Sequence, residues 1–504
     1  MSVNDVTQTR RGFLKGAGAT VAGAVVLNQI LPTEVQAVQP PKRWDKTVEV
    51  LIIGSGFTGL TAAIEAHDAG AKVVIVEKNA FVGGNSIIAS GVLNCADPER
   101  QKKQGIEDST ELHFKQTIAG GDFRGDPEKV RFLADNGLAG LQWLEKMGVA
   151  FEPTVYTVIG ALWPRSHDPI NKGRGGAIVK GLKAQVNARK IPIQLNTKLE
   201  AIVRQKTLDG PVMGAVVSEK GKRVHIKATR AVVIATGGFS ADVPMRSKHD
   251  PRLGKEVPTT NVPSATGEAI VAAANEGADV SGMDYIQLLV ACNYFTKKYG
   301  SLANLGIDSA IFINTEGKRF VHEDARRDVL AEGVLKQTNK VLLWIADENC
   351  KKRFGPEQTE KILADGLSFR ANTLEELAKI LEEKFKVPPA TFLATVKQYN
   401  ELAASGKDTD FGKAPTNLKP ILKPPFYASP TQAGVHHTMG GLRTQGTTGK
   451  VLDREGKVIP RLYAGGEVTG GTHGSNRLGG NATTDCIVFG RAVGINAAGE
   501  KPLA

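Results

Sequence analysis

Residues 48–78, VEVLIIGSGFTGLTAAIEAHDAGAKVVIVEK, constrain the fold more than any other stretch. Residues 48–53 form an apolar run rich in β-branched side chains and too short for a membrane span, the pattern of a buried parallel strand. Gly54, Gly56 and Gly59 follow as G-x-G-x-x-G. Residues 60–69 read as a helix, with Leu60, Ala63, Ile64 and Ala66 available to pack on a sheet. Gly70 ends it, and 71–76 is a second strand capped by Glu77. In such a unit the first glycine permits the tight turn. The second lets a pyrophosphate approach the backbone, and the third lets helix and strand pack closely. The helix N-terminus offers N–H groups and partial positive charge to the phosphate, and Glu77 can accept from ribose hydroxyls. Glycines so placed between two strands, with an acid at this distance, point to a dinucleotide and not to a bare turn.

One such unit cannot fill 504 residues, so two lobes are expected. The formal net charge of +12 favours anionic substrates or an acidic protein partner. No lysine/arginine run or nucleic-acid motif accompanies it, so nucleic acid is not an expected partner. At the N-terminus, Thr9-Arg10-Arg11-Gly12-Phe13-Leu14-Lys15 matches the twin-arginine export pattern. A mildly apolar stretch, 16–31, and a small-residue site at Val35-Gln36-Ala37 follow. Residues 1–37 are therefore expected to be a cleaved signal, leaving a periplasmic chain without a transmembrane anchor. Cys95, Cys292, Cys350 and Cys486 make no C-x-x-C, no zinc pattern and no C-x-x-C-H haem site. No metal is expected, and electrons must come from another protein.

Past Lys78 the chain enters Gly83-Gly84-Asn85-Ser86 and Ala89-Ser90-Gly91, small-residue loops able to lie along a flat, hydroxylated ligand. Helices are expected at 127–147 and 173–186, and a β-meander at 191–203, 212–218 and 223–227. Residues 231–238, AVVIATGG, repeat the strand-then-glycine theme with Thr236 and Gly237. Thr373 and Glu376 form a capping-box pattern ahead of Leu374, Leu377, Ala378 and Leu381. Phe392, Val396 and Tyr399 continue as packing residues. The fold class expected is α/β, a Rossmann-like dinucleotide-binding domain with an inserted α+β capping domain. Its expected boundaries are 44–282 and 425–504 for the first, 283–424 for the second.

From about Lys46 onward the chain resembles the flavoprotein family of fumarate reductases and succinate dehydrogenases. It is most similar to the soluble periplasmic flavocytochrome c fumarate reductases and their urocanate- and methacrylate-reducing relatives. The resemblance is carried by GSGFTG with VEK, GGNS, ATGG, NTEGKRFVHEDARRD (314–328), GVHHTMGG (434–441) and AGGEVTGGTHGSNRLGGNATTD (464–485). It implies FAD, with Gly54, Gly56, Gly59, Glu77, Lys78, Gly84, Asn85, Ser86, Gly91, Thr236, Gly237, Glu467 and Asn481 as cofactor-binding residues. Glu467 would lie near the ribityl chain. Asn85 stands where members with covalent FAD carry histidine, and a link needs an imidazole nitrogen, so non-covalent FAD is expected. The resemblance assigns Arg477 to clamp the substrate carboxylate, His437 to bind substrate and Arg327 to donate the proton. His436 is expected to be structural.

The chain departs from the fumarate-reducing pattern. Where that pattern has Q-x-H-P, Gln287 is followed by Leu288 and Leu289. Counting back from Asn314 places Leu302, Ala303 and Gly306 on the T, E and R positions of T-E-x-x-R. The second carboxylate site and the usual proton relay are thus expected to be lost, with Asp308, Glu323 or Asp324 as candidates to rebuild the relay. Burying a second carboxylate against leucine costs several kcal/mol. The expected reaction is therefore reduction of the C=C bond of a mono-carboxylate enoate of acrylate, methacrylate or cinnamate type. A separate cytochrome c or similar carrier would be the electron donor. Fumarate reduction is the alternative, and a non-catalytic FAD electron carrier is the alternative from another class. A carrier needs no substrate clamp.

Overall fold

The computed structural model describes residues 38–170, 173–299, 310–350 and 355–503. The expected export signal and cleavage site, together with Leu302, Ala303, Gly306 and Asp308, lie outside the described residues. The elements that build the site are, in chain order, β1 (Lys46–Ile53), α1 (Phe57–Asp68), β2 (Val73–Val76), β3 (Ile193–Gln194), β4 (Lys222–Ile234), β5 (Ile286–Asn293), β6 (Ala310–Ile313), α2 (Arg327–Leu335), β7 (Leu342–Ala346), β8 (Phe426–Thr438), β9 (Val458–Ala464) and α3 (Asn481–Ala498).

β1, α1 and β2 form the expected βαβ unit. The helix starts earlier than composition suggests, with Phe57, Thr58 and Gly59 already helical and buried. β1 lies between β2 and β4, and β4 pairs with β9, all in parallel. The register sets Ile53 beside both Val76 and Ile234, and Ile234 beside Ala464. The four strands therefore end at one level. Both sheet faces are buried, as parallel sheets require. Leu60 and Ile64 of α1 join Ile487 and Val493 of α3 on one face. Ile202, Val217, Ile226 and Ile270 join the core of the other.

Two strand expectations need correction. Residues 223–227 and 231–234 are one continuous strand, β4, because neither glycine nor proline interrupts 228–230. Its first half carries the hairpin Thr197–Lys206/Asp209–Glu219, and its second half enters the parallel sheet. Residues 191–203 divide. Ile193–Gln194 pairs with β2 as β3, Asn196 turns the corner at φ +52°, and the hairpin begins at Thr197.

The second sheet is antiparallel, in the order β5-β8-β7-β6, with Phe369–Ala371 added on β8. Helices Leu374–Phe385 and Pro389–Ser405 pack on it through Leu377, Leu381, Phe392, Val396 and Tyr399. The Thr373/Glu376 capping box is formed. The architecture is α/β, a Rossmann-like unit with an α+β insertion. β8 begins at the expected boundary near Pro425, yet it pairs within the second sheet. The chain returns to the first sheet at Thr444–Gln445, after Gly441–Leu442 pairs with Val280–Ser281. Cys95, Cys292, Cys350 and Cys486 are free thiols. Among the described residues, no helix is long and apolar enough to cross a membrane.

Candidate active site

Because β1, β2, β4 and β9 end together, the residues after them converge: Gly54, Glu77, Ala235-Thr236-Gly237 and Gly465-Gly466-Glu467. Ligands bind outside the carboxyl ends of such sheets. A cavity of about 100 Å³ opens there, lined by Gly54, Gly56, Glu77, Lys78, Gly84, Asn85, Ser86, Thr236, Gly237 and Glu467, among others. Gly54 has φ +103°, and a Cβ on it would sit 2.3 Å from the Ala235 carbonyl oxygen. A Cβ on Gly59 would sit 2.0 Å from the Gly54 carbonyl oxygen, so Gly59 is needed for close helix–strand packing. Glu77 is held in place by the Ser55 N–H and hydroxyl (3.1 and 2.6 Å) and by the Asn79 N–H (2.8 Å). Lys78 donates to Thr266 at 3.0 Å and pairs with Glu268. The Thr236 hydroxyl is buried without a partner.

Gly59 and Gly91 do not line this cavity, and Gly91 instead lies against the Arg174–Gly175 backbone. Nor does the structure bring Asn481 to it. The Asn481 amide donates to Thr117 and accepts from Asn94, both at 3.0 Å, in a buried network below the site. Asn85 donates to Asn261 and accepts from the Val262 N–H at 2.8 Å.

A second cavity, of about 620 Å³, adjoins the first and shares Phe57, Asn85, Ser86, Glu467 and Cys486 with it. This two-chamber shape, with a glycine cradle at one end and a wide chamber at the other, suits FAD. Gly54, Glu77 and Thr236 would hold the nucleotide, and Asn85, Ser86 and Glu467 lie where its flat ring system would pass. Burial raises the Glu467 carboxyl to about 7, against the opposing influence of the Thr438 N–H and Arg477.

The three expected catalytic residues line the wide chamber together. Arg327 opens α2. Its guanidinium donates to the Ile159 carbonyl at 2.7 Å and to Gln287 Oε1 at 3.2 Å, and its Nε has no partner. Burial brings it down to about 10. Arg477 donates to the Leu478 carbonyl at 3.1 Å, and its Nε also lacks a partner. Burial and then the neighbouring Arg327 charge lower it. Among the described residues, neither guanidinium forms an ion pair with a carboxylate. His437, at the end of β8, is paired in register with Gln287. Burial, then Arg477, holds its imidazole well below the usual range, so it is neutral. Leu289, Val290, Trp344, Val158 and Ile159 line the same chamber.

Several residues were not singled out by sequence. Gln287 was only a motif landmark. Its Nε2 donates to the Arg477 carbonyl at 2.8 Å and to Asn476 at 2.9 Å while its Oε1 receives Arg327, so one amide positions both arginines. His473 stacks edge-on against His437 at 5.3 Å, with both ring nitrogens buried and unpartnered. Tyr299 lines the chamber and acts electrostatically on both arginines. No motif marks it. Of the relay candidates, Glu323 binds Arg319 at 2.7 and 2.9 Å, while Asp324 accepts from the Ala414 N–H through one oxygen and leaves the other buried without a hydrogen-bond partner. His436 accepts or donates at 2.7 Å with the Thr260 hydroxyl and lies at the chamber wall.

A dinucleotide cradle that opens onto two uncompensated arginines belongs to a flavin-dependent oxidoreductase, and comparison with known proteins makes the class definite. The family model described as FAD binding domain matches residues 49–483, and the chain belongs to that family. Within it, the chain belongs with the flavocytochrome c fumarate reductases and the urocanate and acrylate reductases. It is 37% identical over 456 residues to a fumarate reductase (cytochrome) of Shewanella frigidimarina, covering 90% of this chain and 77% of that one. It is 32% identical to the acrylate reductase flavoprotein subunit of Shewanella woodyi, covering 95% of this chain and 96% of that one. An open conformation of a flavocytochrome c3 fumarate reductase superposes with a TM-score of 0.74 at 33% identity, covering 90% of this chain and 78% of that one. The protein is an FAD-dependent oxidoreductase acting on carbon–carbon double bonds.

Proposed function

We propose that this protein reduces the C=C bond of an α,β-unsaturated mono-carboxylate bearing an apolar or aromatic β-substituent. The observation that carries the reading is the pair Arg327 and Arg477, buried in one chamber without a carboxylate partner among the described residues. Buried charges need compensation, and the carboxylate of a substrate supplies it. Leu289, Val290 and Trp344 give the chamber apolar walls, beside polar groups that include Arg174, Tyr156 and His436. Relatives named as fumarate and acrylate reductases support the reaction type.

In this reading, FAD is bound non-covalently and supplies the hydride. Arg477 grips the carboxylate through its planar fork, and neutral His437 donates a hydrogen bond to it. Charge developing on that carboxylate in the transition state is stabilised by the same groups. Arg327 gives a proton to the α-carbon, its guanidinium aimed by Ile159 and Gln287. An arginine serves as the acid because the receiving centre is carbanion-like and because burial weakens the guanidinium's hold on its proton. Export through the twin-arginine route would place the enzyme in the periplasm, with a separate cytochrome c or similar carrier as donor. Fumarate is the second reading of the substrate. The test is a screen of the purified protein with dithionite-reduced methyl viologen, comparing acrylate, methacrylate, cinnamate, urocanate and fumarate. No reduction of any of them would return the chain to a non-catalytic electron carrier.

A further inference from the structure

A histidine that serves one carboxylate must present one ring nitrogen in one direction. His437 is set on its backbone, which ends β8 in register with Gln287. Its ring is another matter, because Nδ1 is buried without a hydrogen-bond partner among the described residues. Packing must therefore supply the direction, as it does wherever a site residue is held by the rotamers of the residues behind it. His436, next along β8, is engaged with the Thr260 hydroxyl at 2.7 Å. The ring that His437 does meet is His473: the two stand edge-on, with centroids 5.3 Å apart and planes at 80°.

His473 is itself firmly built in. A Cβ on Gly121 would sit 2.5 Å from the His473 carbonyl oxygen, and one on Gly474 would sit 2.2 Å from the Gly121 carbonyl oxygen. The Ser475 N–H donates to that same Gly121 oxygen at 3.1 Å. On the ring, Nε2 lies 3.9 Å from Oδ2 of Asp485, early in α3, and both side chains are more than nine-tenths buried. Three residues upstream, the Gly470 carbonyl accepts from Lys129 at 2.8 Å. Both His473 ring nitrogens and Asp485 Oδ1 lack a hydrogen-bond partner among the described residues. Burying such groups costs stability, a cost that a residue kept only to fill space would avoid. We propose that His473, backed by Asp485, is a positioning residue that holds the His437 ring in the orientation that serves the substrate carboxylate. The inference rests on His437 as a carboxylate ligand. The Asp485 carboxyl beside Nε2 sets which edge of His473 faces it, and the edge-on contact then restrains the rotation of His437. An edge-on ring pair is enough to move an equilibrium by roughly two- to tenfold.

The test reads binding without chemistry. The dissociation constant of 3-phenylpropionate, the saturated product of cinnamate, is measured on the oxidised, flavin-replete enzyme through the change in flavin absorbance. His473→Leu fills the same space without a ring. It should keep its flavin and raise the constant at least about fivefold. His473→Phe, which restores the ring, should return it to within about twofold of the parent. Asp485→Asn should raise it at least about twofold in the parent and leave it unchanged in His473→Leu. Placed on His437→Ala, His473→Leu should add less than twofold, because its effect passes through the missing ring. An unchanged constant in His473→Leu overturns the proposal. So does a Phe variant no better than Leu, and so does a full additional loss in the His437→Ala background, which marks a merely structural role. Loss of flavin in step with loss of binding overturns it as well. An unchanged constant in Asp485→Asn overturns the part given to Asp485. His437→Ala tells the two readings apart. If it binds 3-phenylpropionate as the parent does, the carboxylate-binding role fails and the inference with it. If it binds weakly while His473→Leu is normal, only the inference fails.

Discussion

At the scale of single residues, the two arginines make different commitments. If Arg327 is the acid as proposed, Arg327→Ala should retain FAD and lose nearly all C=C reduction, with the loss in kcat, because a donated proton moves only in the transition state. Arg477→Ala should raise KM and lower kcat, because in the proposed reading that side chain holds the carboxylate in both states. Steady-state kinetics on flavin-replete variants check both. The acid must carry its proton to act, so activity is present below its folded value and lost above it. Burial sets that value at about 10, and kcat should hold from pH 7 to 9 and fall as pH rises through about 10. A limb centred near 7 would instead implicate Glu467, which burial raises to about 7. The motifs made Arg327, His437 and Arg477 legible because each sits inside a long, specific string. Gln287, His473 and Tyr299 were not legible. Gln287 acts through an amide whose partners lie about forty residues and more away in sequence (Arg327, the Asn476 side chain and the Arg477 carbonyl), and no local pattern encodes such a meeting.

At the scale of elements, the strand–glycine–helix unit could be read because its periodicity and turn chemistry agree. The registers of β1, β2, β4 and β9 could not, since parallel pairing is set by packing between distant strands. Nor could the fusion of the meander with the ATGG strand be seen, because two apolar runs separated by three ordinary residues look the same whether joined or broken. Close packing of helix on strand is needed at Gly59. A Cβ there meets a backbone oxygen at 2.0 Å, which no side-chain rotation relieves. Gly59→Ala should therefore push α1 from β1 and lower the flavin content of the purified protein severalfold, measured by absorbance against protein concentration. In the insertion, Thr373 caps Leu374–Phe385 through the Glu376 N–H at 3.1 Å. Thr373→Ala should cost about 1 kcal/mol of stability, read by denaturant melts, and leave the kinetics unchanged.

At the scale of the whole molecule, function depends on a chamber lined from both sheets. Arg477 and Glu467 come from the segment between β9 and α3, while His437, Leu289 and Trp344 stand on β8, β5 and β7. The flavin should leave this assembly intact. Asn85 has no imidazole nitrogen to form a link, so acid precipitation should give a yellow supernatant and a colourless pellet, and flavin fluorescence on a denaturing gel would contradict this. Substrate choice follows from the asymmetry of the same chamber. On the proposed reading, Arg477 and His437 serve the carboxylate common to every enoate. Only fumarate must also desolvate a second carboxylate, in a chamber whose walls include Leu289, Val290 and Trp344. Even a loss of about 3 kcal/mol exceeds a hundredfold in kcat/KM. A mono-carboxylate enoate should therefore surpass fumarate by at least that factor. Leu289→His, which returns a hydrogen-bond donor to that wall, should narrow the gap from the fumarate side. Competition assays with the two acids in one vessel measure the ratio directly. If fumarate wins against acrylate, methacrylate, cinnamate and urocanate alike, a polar group elsewhere in the insertion must serve the second carboxylate.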